Sequence, residues 1–402
     1  MTETVDSPEA GLPAATGAVT AAKPSLDLLR GLSDEHVLRT LLARDRMTRS
    51  ELAVATGISK PTVGESVRRL VAAGVLVDTG ERTTGRGRVG SYYALADSVG
   101  CALALSVAPE GVVAELVDAR GRVVARTEAA VSRPARPRQV ADAVRLVALE
   151  VTGLAPSPIR LAMVSAADPV DRASGRLVHL PDEPFLVGEL SPAELLAEVV
   201  PGPVVVDNDV NWAARAEREA VGEAWTDVFY LYLGEGLGGA IISDGQVRRG
   251  GSGIAGEIAH VITAGPDGTA MRFLDVFGAL GLRHPESTAI DLAALDAAIN
   301  AGVGDDGPGG GVLAALARAI GGVLSSVVAL CDPDLVVLGG PWGGRPTVVD
   351  AVRAAGVGLR RPVEVRAAVV TDSAPLAGTR AAAIRALGDS IVDYRRTPGL
   401  GA

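Results

Sequence analysis

The stretch VVVDNDVNWAARAE at positions 204–217 contains residue types that can do chemistry. An apolar run ends on Asp207, Asn208 and Asp209, and a helix-like segment follows from Asn211. A carboxylate at the end of a buried strand is well placed to act as a general base. The same side chains can instead cap the helix, because Asp and Asn are favoured at helix N-caps. The sequence thus predicts a catalytic group, a ligand-holding group or a cap.

Two more polar residues stand in GGSGIAGEIAHV, where Glu257 precedes His260 by three positions. Side chains at this spacing share a helix face, so both can point into one site. As alternatives, Glu257 can be a solvated carboxylate near a helix N-terminus and His260 a structural histidine. The glycines of LGEGLGG, from Gly234 to Gly239, can cradle a phosphate or simply form a hairpin turn.

These groups lie in a body of alternating strands and helices that begins near residue 100. CALALSVAPEGVVAELVDARGRVVARTEAAV predicts three strands with tight turns, and residues 137–153 predict a helix. The three-strand pattern recurs in VFYLYLGEGLGGAIISDGQVRRG, where SDGQV echoes DARGRV. This internal repeat predicts two α/β lobes of similar design with a ligand-binding cleft between them.

The segment before this body has the pattern of a helix–turn–helix. SDEHVLRTLLARD predicts a first helix over residues 33–45 with Ser33 as its N-cap. Thr48 and Glu51 then have the spacing of a capping box. A further helix starts at the cap Ser59, and Gly74 ends it. Two short helices joined by a glycine-containing turn are typical of DNA-binding modules.

The helix after Ser59 is predicted to expose polar side chains to DNA. Its N-terminus offers free backbone N–H groups for phosphate, and its side chains can reach base edges. LVDTGERTTGRGRVGSYYAL predicts two strands joined by an arginine-rich wing. The alternative is a small helical interaction module with a solvated charged face. The predicted DNA contacts are Ser59, Lys60, Thr62, Glu65, Ser66 and Arg69 on the helix, and Arg82, Arg86 and Arg88 in the wing.

Charge is distributed unevenly along the 402 residues, whose formal net charge is −10. Residues 25–95 contain 11 Lys and Arg against 8 Asp and Glu, so the acidic excess lies elsewhere. An acidic body repels nucleic acid, and DNA contacts are therefore expected only in the N-terminal module. The sequence has no apolar signal region at its N-terminus and no 18-residue apolar run, so we expect a cytoplasmic protein without a membrane span.

Four motifs in order, NDVNWAA, LYLGEGLGGAII, GGSGIAGEIAHV and CDPDLVVLGG, resemble the ROK family of sugar kinases and sugar-responsive repressors. The winged helix before them resembles the repressor branch. The resemblance implies an α/β fold: a two-lobed, actin-like or ribonuclease H-like kinase fold preceded by a winged helix-turn-helix. We expect a disordered tail at 1–24, the DNA-binding domain at 25–97, lobes at 98–222 and 223–388, and a C-terminal tail at 389–402.

The resemblance also implies a ligand site. Asn208, Asp209, Glu257 and His260 match positions that hydrogen-bond sugar hydroxyls in the family, and Asp275 in FLDVFG stands near a further family glutamate. Carboxylates accept hydroxyl protons, and an asparagine can both donate and accept. Buried polar groups of this kind discriminate among polyols, because an unpaired partner costs about 1–3 kcal/mol.

Departures from the family pattern predict that the chain is not an enzyme. The first phosphate loop is replaced by SVAPE, in which Ser106 stands at the family's aspartate position and Pro109 lacks an N–H. Glu235 stands where the family commonly has threonine, and a carboxylate repels a nucleotide phosphate. We therefore predict no ATP site, no catalytic residue and no cofactor.

A second departure concerns the zinc site that the resemblance implies. His260 is present, but VITAGPDGTAMRFLDVFG after it contains no cysteine, so the thiolate ligands are missing. We predict no metal. Apolar packing of Met271, Phe273, Leu274 and Phe277 is expected to order this segment instead.

These observations favour a transcriptional regulator, of the repressor type, that forms a dimer or tetramer. Its partners would be a double-stranded DNA operator and a sugar or sugar-phosphate effector held in the cleft. Two alternatives stay open. One is a sugar kinase with an appended DNA-binding domain, in which Asp209 is the general base. The other is a regulator whose cleft binds no sugar, suggested by the altered segment 263–277.

Overall fold

The computed structural model describes most of the chain and leaves out both termini and several internal stretches. The described residues are 25–84, 89–133, 135–178, 180, 190–222, 225–301, 311–355 and 361–395. The predicted tail at 1–24 and the wing arginines Arg86 and Arg88 lie outside these residues.

The N-terminal domain is a winged helix-turn-helix. Its elements are α1 (Leu26–Leu42), β1 (Met47–Thr48), α2 (Arg49–Thr56), α3 (Lys60–Ala72), β2 (Leu76–Arg82) and β3 (Ser91–Leu95). The strands pair antiparallel in the order β1-β3-β2. The predicted capping box is confirmed, since the Glu51 N–H donates to Thr48 Oγ1 and the Thr48 N–H donates to the Glu51 carboxylate.

The first helix begins earlier than the sequence predicted. Ser25 is its N-cap, whereas Ser33 lies inside the helix. The helical pattern in the sequence depends on apolar positions such as Val37 and Leu41, which are buried in the core of the domain. The leucines in residues 26–32 are exposed, so the first two turns carried no such signal.

The first lobe is a five-stranded sheet covered by helices. Its elements are β4 (Cys101–Ala108), β5 (Gly111–Asp118), β6 (Val123–Ala129), α4 (Pro137–Gly153), β7 (Ile159–Ala166), α5 (Pro192–Leu196), β8 (Val204–Asn208) and α6 (Asp209–Val221). The strands lie in the order β6-β5-β4-β7-β8, with the β4–β6 meander antiparallel and β4, β7 and β8 parallel.

The second lobe repeats this sheet. Its elements are β9 (Val228–Leu233), β10 (Leu237–Ser243), β11 (Gln246–Arg248), β12 (Ile262–Ala264), β13 (Ala270–Arg272), α7 (Phe273–Ala279), α8 (Leu292–Ala301), α9 (Val312–Cys331), β14 (Leu335–Gly339), α10 (Gly340–Gly343), α11 (Pro346–Ala354) and β15 (Glu364–Ala367). The last helix, α12 (Ala374–Val392), follows these elements in the chain but packs on the first lobe, and it continues past residue 389, where the sequence predicted the start of a tail. The order β11-β10-β9-β14-β15 and the strand directions match those of the first sheet. The predicted internal repeat and two-lobed α/β fold are confirmed.

Helix α12 contacts both the first lobe and the N-terminal domain. It packs against α6 and against β4 and β7 of the first sheet, and it also contacts α1 of the N-terminal domain. One continuous apolar core contains Leu38 and Leu52 of the N-terminal domain together with Leu387 and Ile391 of α12. The N-terminal domain is therefore packed on the body and not merely tethered to it.

Two apolar segments of the second lobe lie in its core. Phe273, Leu274 and Phe277 are buried and Met271 packs against them, which confirms the packing predicted for this segment. By length and composition alone, α9 could cross a membrane. Half of its apolar window is buried inside the second lobe, as in the core helix of a globular domain.

Candidate functional site

A cavity of about 530 Å³ lies where the two lobes face each other. Small-molecule sites typically have volumes of about 300–1,000 Å³. Both hairpin turns, the start of α6 and the start of α12 contribute to its lining. The stretches involved are 108–113, 208–210, 234–239, 253–257 and 373–376.

Asn208 and Asp209 line this cavity at the junction of β8 and α6. The Val210 N–H donates to Asn208 Oδ1 at 3.0 Å, so Asn208 is the N-cap of α6. Asn208 Nδ2 donates to the Asp168 carbonyl at 3.3 Å. The capping interpretation is therefore correct for Asn208, yet both side chains are only half-buried and face the cavity. Capping fixes Asn208 in place, and the two roles are compatible.

Asp207, just before these two residues, is a buried anchor that the sequence analysis did not identify. Its carboxylate accepts hydrogen bonds from Asn211 Nδ2 at 2.9 Å and from the Asn208 N–H at 2.9 Å. It also pairs with Arg215 at 2.7 Å and with Arg249 at 3.1 Å. Arg249 lies in the second-lobe segment that leads to Glu257, so Asp207 holds both sides of the cavity together.

Glu257 also lines the cavity, at the end of a glycine-rich segment. Gly256 has a φ of 100°, and a Cβ there would lie 1.8 Å from the Gly239 carbonyl oxygen. Only glycine fits so close to β10 in this conformation. The glycine thereby brings Glu257 against the same hairpin that closes the cavity.

His260 and Asp275 take other positions. Among the described residues, the set that lines the cavity includes neither of them. His260 is half-buried at the end of a short 3-10 turn. Asp275 forms ion pairs with Arg272 at 2.7 Å and Arg283 at 3.0 Å, which lower the pKa of its carboxyl group. The cavity thus brings together three of the five predicted ligand residues.

Glu235 sits at the tip of the β9–β10 turn and is bonded to the other lobe. Its two carboxylate oxygens accept hydrogen bonds from Arg133, one at 2.5 Å and one at 2.8 Å. Arg133 lies after β6 of the first lobe, and no local pattern in the sequence indicates this pairing. A bidentate arginine–carboxylate pair is geometrically specific, and here it connects the lobes at the cavity rim.

Several other residues of the lining carry groups that can donate or accept hydrogen bonds. Ser106 and Pro109, the residues that depart from the family's phosphate loop, are both part of it. Tyr232 lies beside them, and burial, with Asp209 nearby, raises the pKa of its phenol well above the usual range. Its hydroxyl therefore stays protonated and can donate to a ligand oxygen.

The candidate DNA surface is the outer face of α3. The Thr62 N–H donates to Ser59 Oγ at 3.4 Å, which confirms Ser59 as the N-cap. Ser59, Lys60, Thr62 and Glu65 are exposed, as predicted. Arg68 is also exposed and pairs with Glu65, and the sequence analysis had not included it.

Two other predictions for this helix are wrong. Ser66 is fully buried, because it lies three residues after Val63 and four before Leu70 on the inward face. Arg69 turns away from the outer face: its guanidinium bonds the buried carboxylate of Asp34 at 2.6 Å and Ser66 Oγ at 3.0 Å. Their polar types suggested solvent, but the helical spacing determines which way they point.

The wing is only partly described. Arg82 is exposed at the end of β2, where it pairs with Asp78 at 2.9 Å. Arg86 and Arg88 remain predictions, since both lie outside the described residues.

Comparison with known proteins relates both parts of the chain to families. Residues 104–274 match the ROK family, and residues 32–77 match a family described as winged helix-turn-helix DNA-binding. The bifunctional enzyme NanE/NanK of Brucella suis biovar 1 is 28% identical over 153 residues, which cover 38% of this chain and 29% of that protein. A candidate xylose repressor of Caldicellulosiruptor sp. is 22% identical over 241 residues, covering 58% of this chain and 59% of that one.

The matched regions span less than two thirds of each of these relatives. A solved structure covers more of the chain. The crystal structure of a ROK family transcriptional regulator, a homologue of the E. coli MLC protein, has a TM-score of 0.61 at 16% identity. It covers 92% of this chain and 100% of the other. At this identity the likeness bears on the fold, and it supports a winged helix in front of a two-lobed body.

Proposed function

The chain carries a ROK family domain behind a winged helix-turn-helix domain, and from this we propose that it is a DNA-binding transcriptional regulator of the repressor type. The N-terminal domain binds double-stranded operator DNA, and the body senses a sugar. Such a protein acts in the cytoplasm as a dimer or tetramer. Two-fold symmetry then calls for a near-palindromic operator with half-sites one or two helical turns apart.

One observation carries the proposal that the body senses and does not catalyse: the Arg133–Glu235 pair in the cleft. A kinase of this design needs the β9–β10 turn for nucleotide phosphate. Here a carboxylate, Glu235, lies in that turn, and Arg133 is already bonded to it. Phosphate binding would require breaking this pair and placing two anions together, which is unfavourable.

The lining favours an uncharged sugar over a sugar phosphate. Glu110, Asp209, Glu235 and Glu257 all contribute to the cavity surface. Carboxylates accept hydrogen bonds from hydroxyls and repel phosphate, and Tyr232 adds a neutral donor. We therefore propose that the effector is an unphosphorylated monosaccharide held by Asn208, Asp209 and Glu257. His260 and Asp275 would support this site from outside the cavity.

Sensing is tested with Asp209→Ala. This variant should bind operator DNA like the wild type and lose the response to sugar. Trp212 is a useful reporter, because its ring lies behind the site and its Nε1–H donates to the Val164 carbonyl at 2.9 Å. A flat Trp fluorescence response of the wild-type protein to monosaccharides and sugar phosphates would contradict sugar sensing and favour a ligand-independent regulator.

Catalysis is tested by sugar-dependent ADP release. We expect none from the wild-type protein with ATP and the same monosaccharide panel. Release that disappears in Asp209→Asn would instead establish a kinase with Asp209 as general base.

DNA binding is tested on α3. Lys60→Ala should weaken binding to all sequences alike and reduce the slope of log affinity against log salt by about one. Thr62→Ala should relax base preference and leave that slope unchanged. Arg145→Ala, which loses an exposed ion pair on α4 far along the chain from α3, is the control. If the wild-type protein enriches no fragment of its own genome, the regulator proposal is wrong.

A further inference from the structure

Helix α12 runs from the cavity to the DNA-binding domain. Its first residues, 374–376, line the cavity, and Ile391 near its other end lies in the core of the N-terminal domain. Its 19 residues span about 28 Å at 1.5 Å per residue. One rigid element therefore contacts both the cavity and the DNA-binding domain.

Close packing fixes α12 to the helix that carries the ligand residues. A Cβ at Gly378 would lie 2.0 Å from the Trp212 carbonyl oxygen, so the backbones of α12 and α6 are in direct contact. On another face of α12, Arg380 bonds the buried carboxylate of Glu115 at 2.6 Å. A displacement of α6 at Asp209 cannot be absorbed between these helices without moving α12.

The far end of α12 meets the recognition helix at one buried carboxylate, Asp34 of α1. The side chain of Asp34 is 2% exposed. It accepts a hydrogen bond from Arg69 of α3 at 2.6 Å, from Arg395 at 2.8 Å and from the Tyr394 hydroxyl at 3.2 Å. Tyr394 and Arg395 lie two and three residues after the last residue of α12. Three elements, α1, α3 and the end of α12, thus share a single anion.

We infer that Asp34 is a positioning residue that couples the cavity to the DNA surface. A buried carboxylate must keep its partners, because an unpaired charge there is strongly destabilising. When α12 shifts, Arg395 and Tyr394 shift with it. Asp34 follows them to keep its hydrogen bonds, and its position relative to Arg69 changes. Arg69 belongs to α3, so the orientation of the recognition helix changes. The inference rests on the proposed regulator function and adds the route by which ligand and DNA influence each other.

The test compares Arg395→Ala, Asp34→Asn and wild type as full-length chains. Arg395→Ala removes one partner of Asp34 that is partly exposed, and is expected to fold. Asp34→Asn keeps the shape and removes the charge. Arg145→Ala, which loses an exposed ion pair on α4, is the control. The probes are an operator fragment enriched from genomic DNA, a random duplex, and D-glucose and D-xylose.

For each variant, operator affinity is measured with and without saturating sugar, and sugar affinity is measured by Trp fluorescence. Amide hydrogen exchange of α3 is followed without DNA or sugar. We expect Arg395→Ala to keep the wild-type sugar affinity and to lose most of the sugar-induced change in operator affinity. In the wild type this change should be about fivefold or more. Exchange in α3 should be faster than in Arg145→Ala, and random-duplex affinity should be unchanged.

Wild-type sugar response and wild-type α3 exchange in both Arg395→Ala and Asp34→Asn would overturn the inference. A merely structural role would change the thermal stability but not the ratio of operator affinities. If the wild-type chain binds neither an operator nor a sugar, the proposed function fails. Faster exchange of α3 in Arg395→Ala would then still show that the end of α12 holds α3 through Asp34, whereas the coupling itself would be refuted together with the proposed function.

Discussion

The two hairpin turns that face each other across the cleft belong to sheets of the same strand order but differ in sequence. The β4–β5 turn contains Pro109 and Glu110, whereas the β9–β10 turn contains Gly234 and Gly236 around Glu235. By resemblance, both turns stand where a kinase would hold nucleotide phosphate. The first turn has no glycine at positions 109 and 110, whereas the second has two, although in a kinase the same ligand would use both turns.

Packing explains why the strand that follows the second turn contains glycine at two positions. A Cβ at Gly238 would lie 2.6 Å from Val210 Cγ2, and one at Gly239 would lie 2.4 Å from Phe229 Cζ. These contacts exist without any nucleotide. Glycines of a phosphate-loop sequence can therefore persist because the fold needs them, and their presence says little about phosphate binding.

The two sheets also differ in how they use charge. Strands β9 and β10 carry no Asp, Glu, Lys or Arg. In the first sheet, β5 carries the buried Glu115, which bonds Arg126 of β6 and Arg380 of α12 at 2.6 Å each. Ion pairs of Glu115 thus connect the first sheet to α12, whereas close packing of glycine backbone stabilises the hairpin of the second lobe.

The largest effect is expected from a variant that disrupts the close packing of the second lobe. Gly256→Ala places a Cβ 1.8 Å from the Gly239 carbonyl oxygen at a φ of 100°. We expect the free energy of unfolding to fall by about 3–5 kcal/mol, because both strain and a backbone clash must be relieved. Urea unfolding measures the change. Gly251→Ala, where a Cβ meets nothing within 4 Å, should be close to neutral. Equal effects in the two variants would refute the packing explanation.

The next largest effect is expected from a variant that removes the ion pairs of Glu115 in the first lobe. Glu115→Ala removes the anion shared by Arg126 and Arg380, whose side chains are 47% and 34% exposed. Both arginines can recover hydration, so we expect a loss of about 2 kcal/mol, less than for a fully buried pair. Thermal unfolding of Glu115→Ala and the exposed neighbour Glu128→Ala gives the comparison. A loss as large in Glu128→Ala would show that Glu115 has no special role.

A smaller effect, which depends on pH, is expected from the ion pairs of Asp275 in the second lobe. Arg272 and then Arg283 lower the pKa of Asp275 in the second lobe. Its ion pairs therefore stabilise the fold above the unfolded pKa of about 3.9, and this stability is lost as pH falls through the lower folded pKa. Since the carboxylate is 34% exposed, we expect Asp275→Asn to cost about 1 kcal/mol at pH 7. The deficit in unfolding free energy should shrink below pH 4; a pH-independent deficit would contradict the assignment.

The sequence was a good guide wherever local pattern determines structure. Apolar periodicity and turn residues predicted the repeated sheets, and cap spacing predicted the Thr48–Glu51 box. Resemblance to the family located Asn208, Asp209 and Glu257, which the fold brings to one cavity. In these cases the residues that make up each pattern stand within a few positions of one another in the sequence.

Contacts between distant segments could not be predicted in this way. Arg133 and Glu235 are 102 positions apart, and Asp34 and Arg395 are 361 apart. An isolated arginine or aspartate in a sequence looks like a solvated side chain, because nothing nearby reveals its partner. Ser66 is a different case. The spacing of Val63, Val67 and Leu70 places position 66 on the inward face, although the polar type of serine suggests a solvent-exposed position.

The smallest effect on stability is expected from variants in the two turns that face each other across the cleft. Glu235→Thr removes the pair with Arg133, which is 51% exposed, so the unfolding free energy should fall by less than about 1 kcal/mol. The variant frees Arg133 for phosphate, yet Pro109 in the opposite turn still offers no N–H. Glu235→Thr and Pro109→Gly alone should therefore show no calorimetric binding of a non-hydrolysable ATP analogue, and the double variant should bind it weakly. Binding by the wild type would mean that the two altered turns still form a nucleotide site, and that their differences in sequence reflect packing alone.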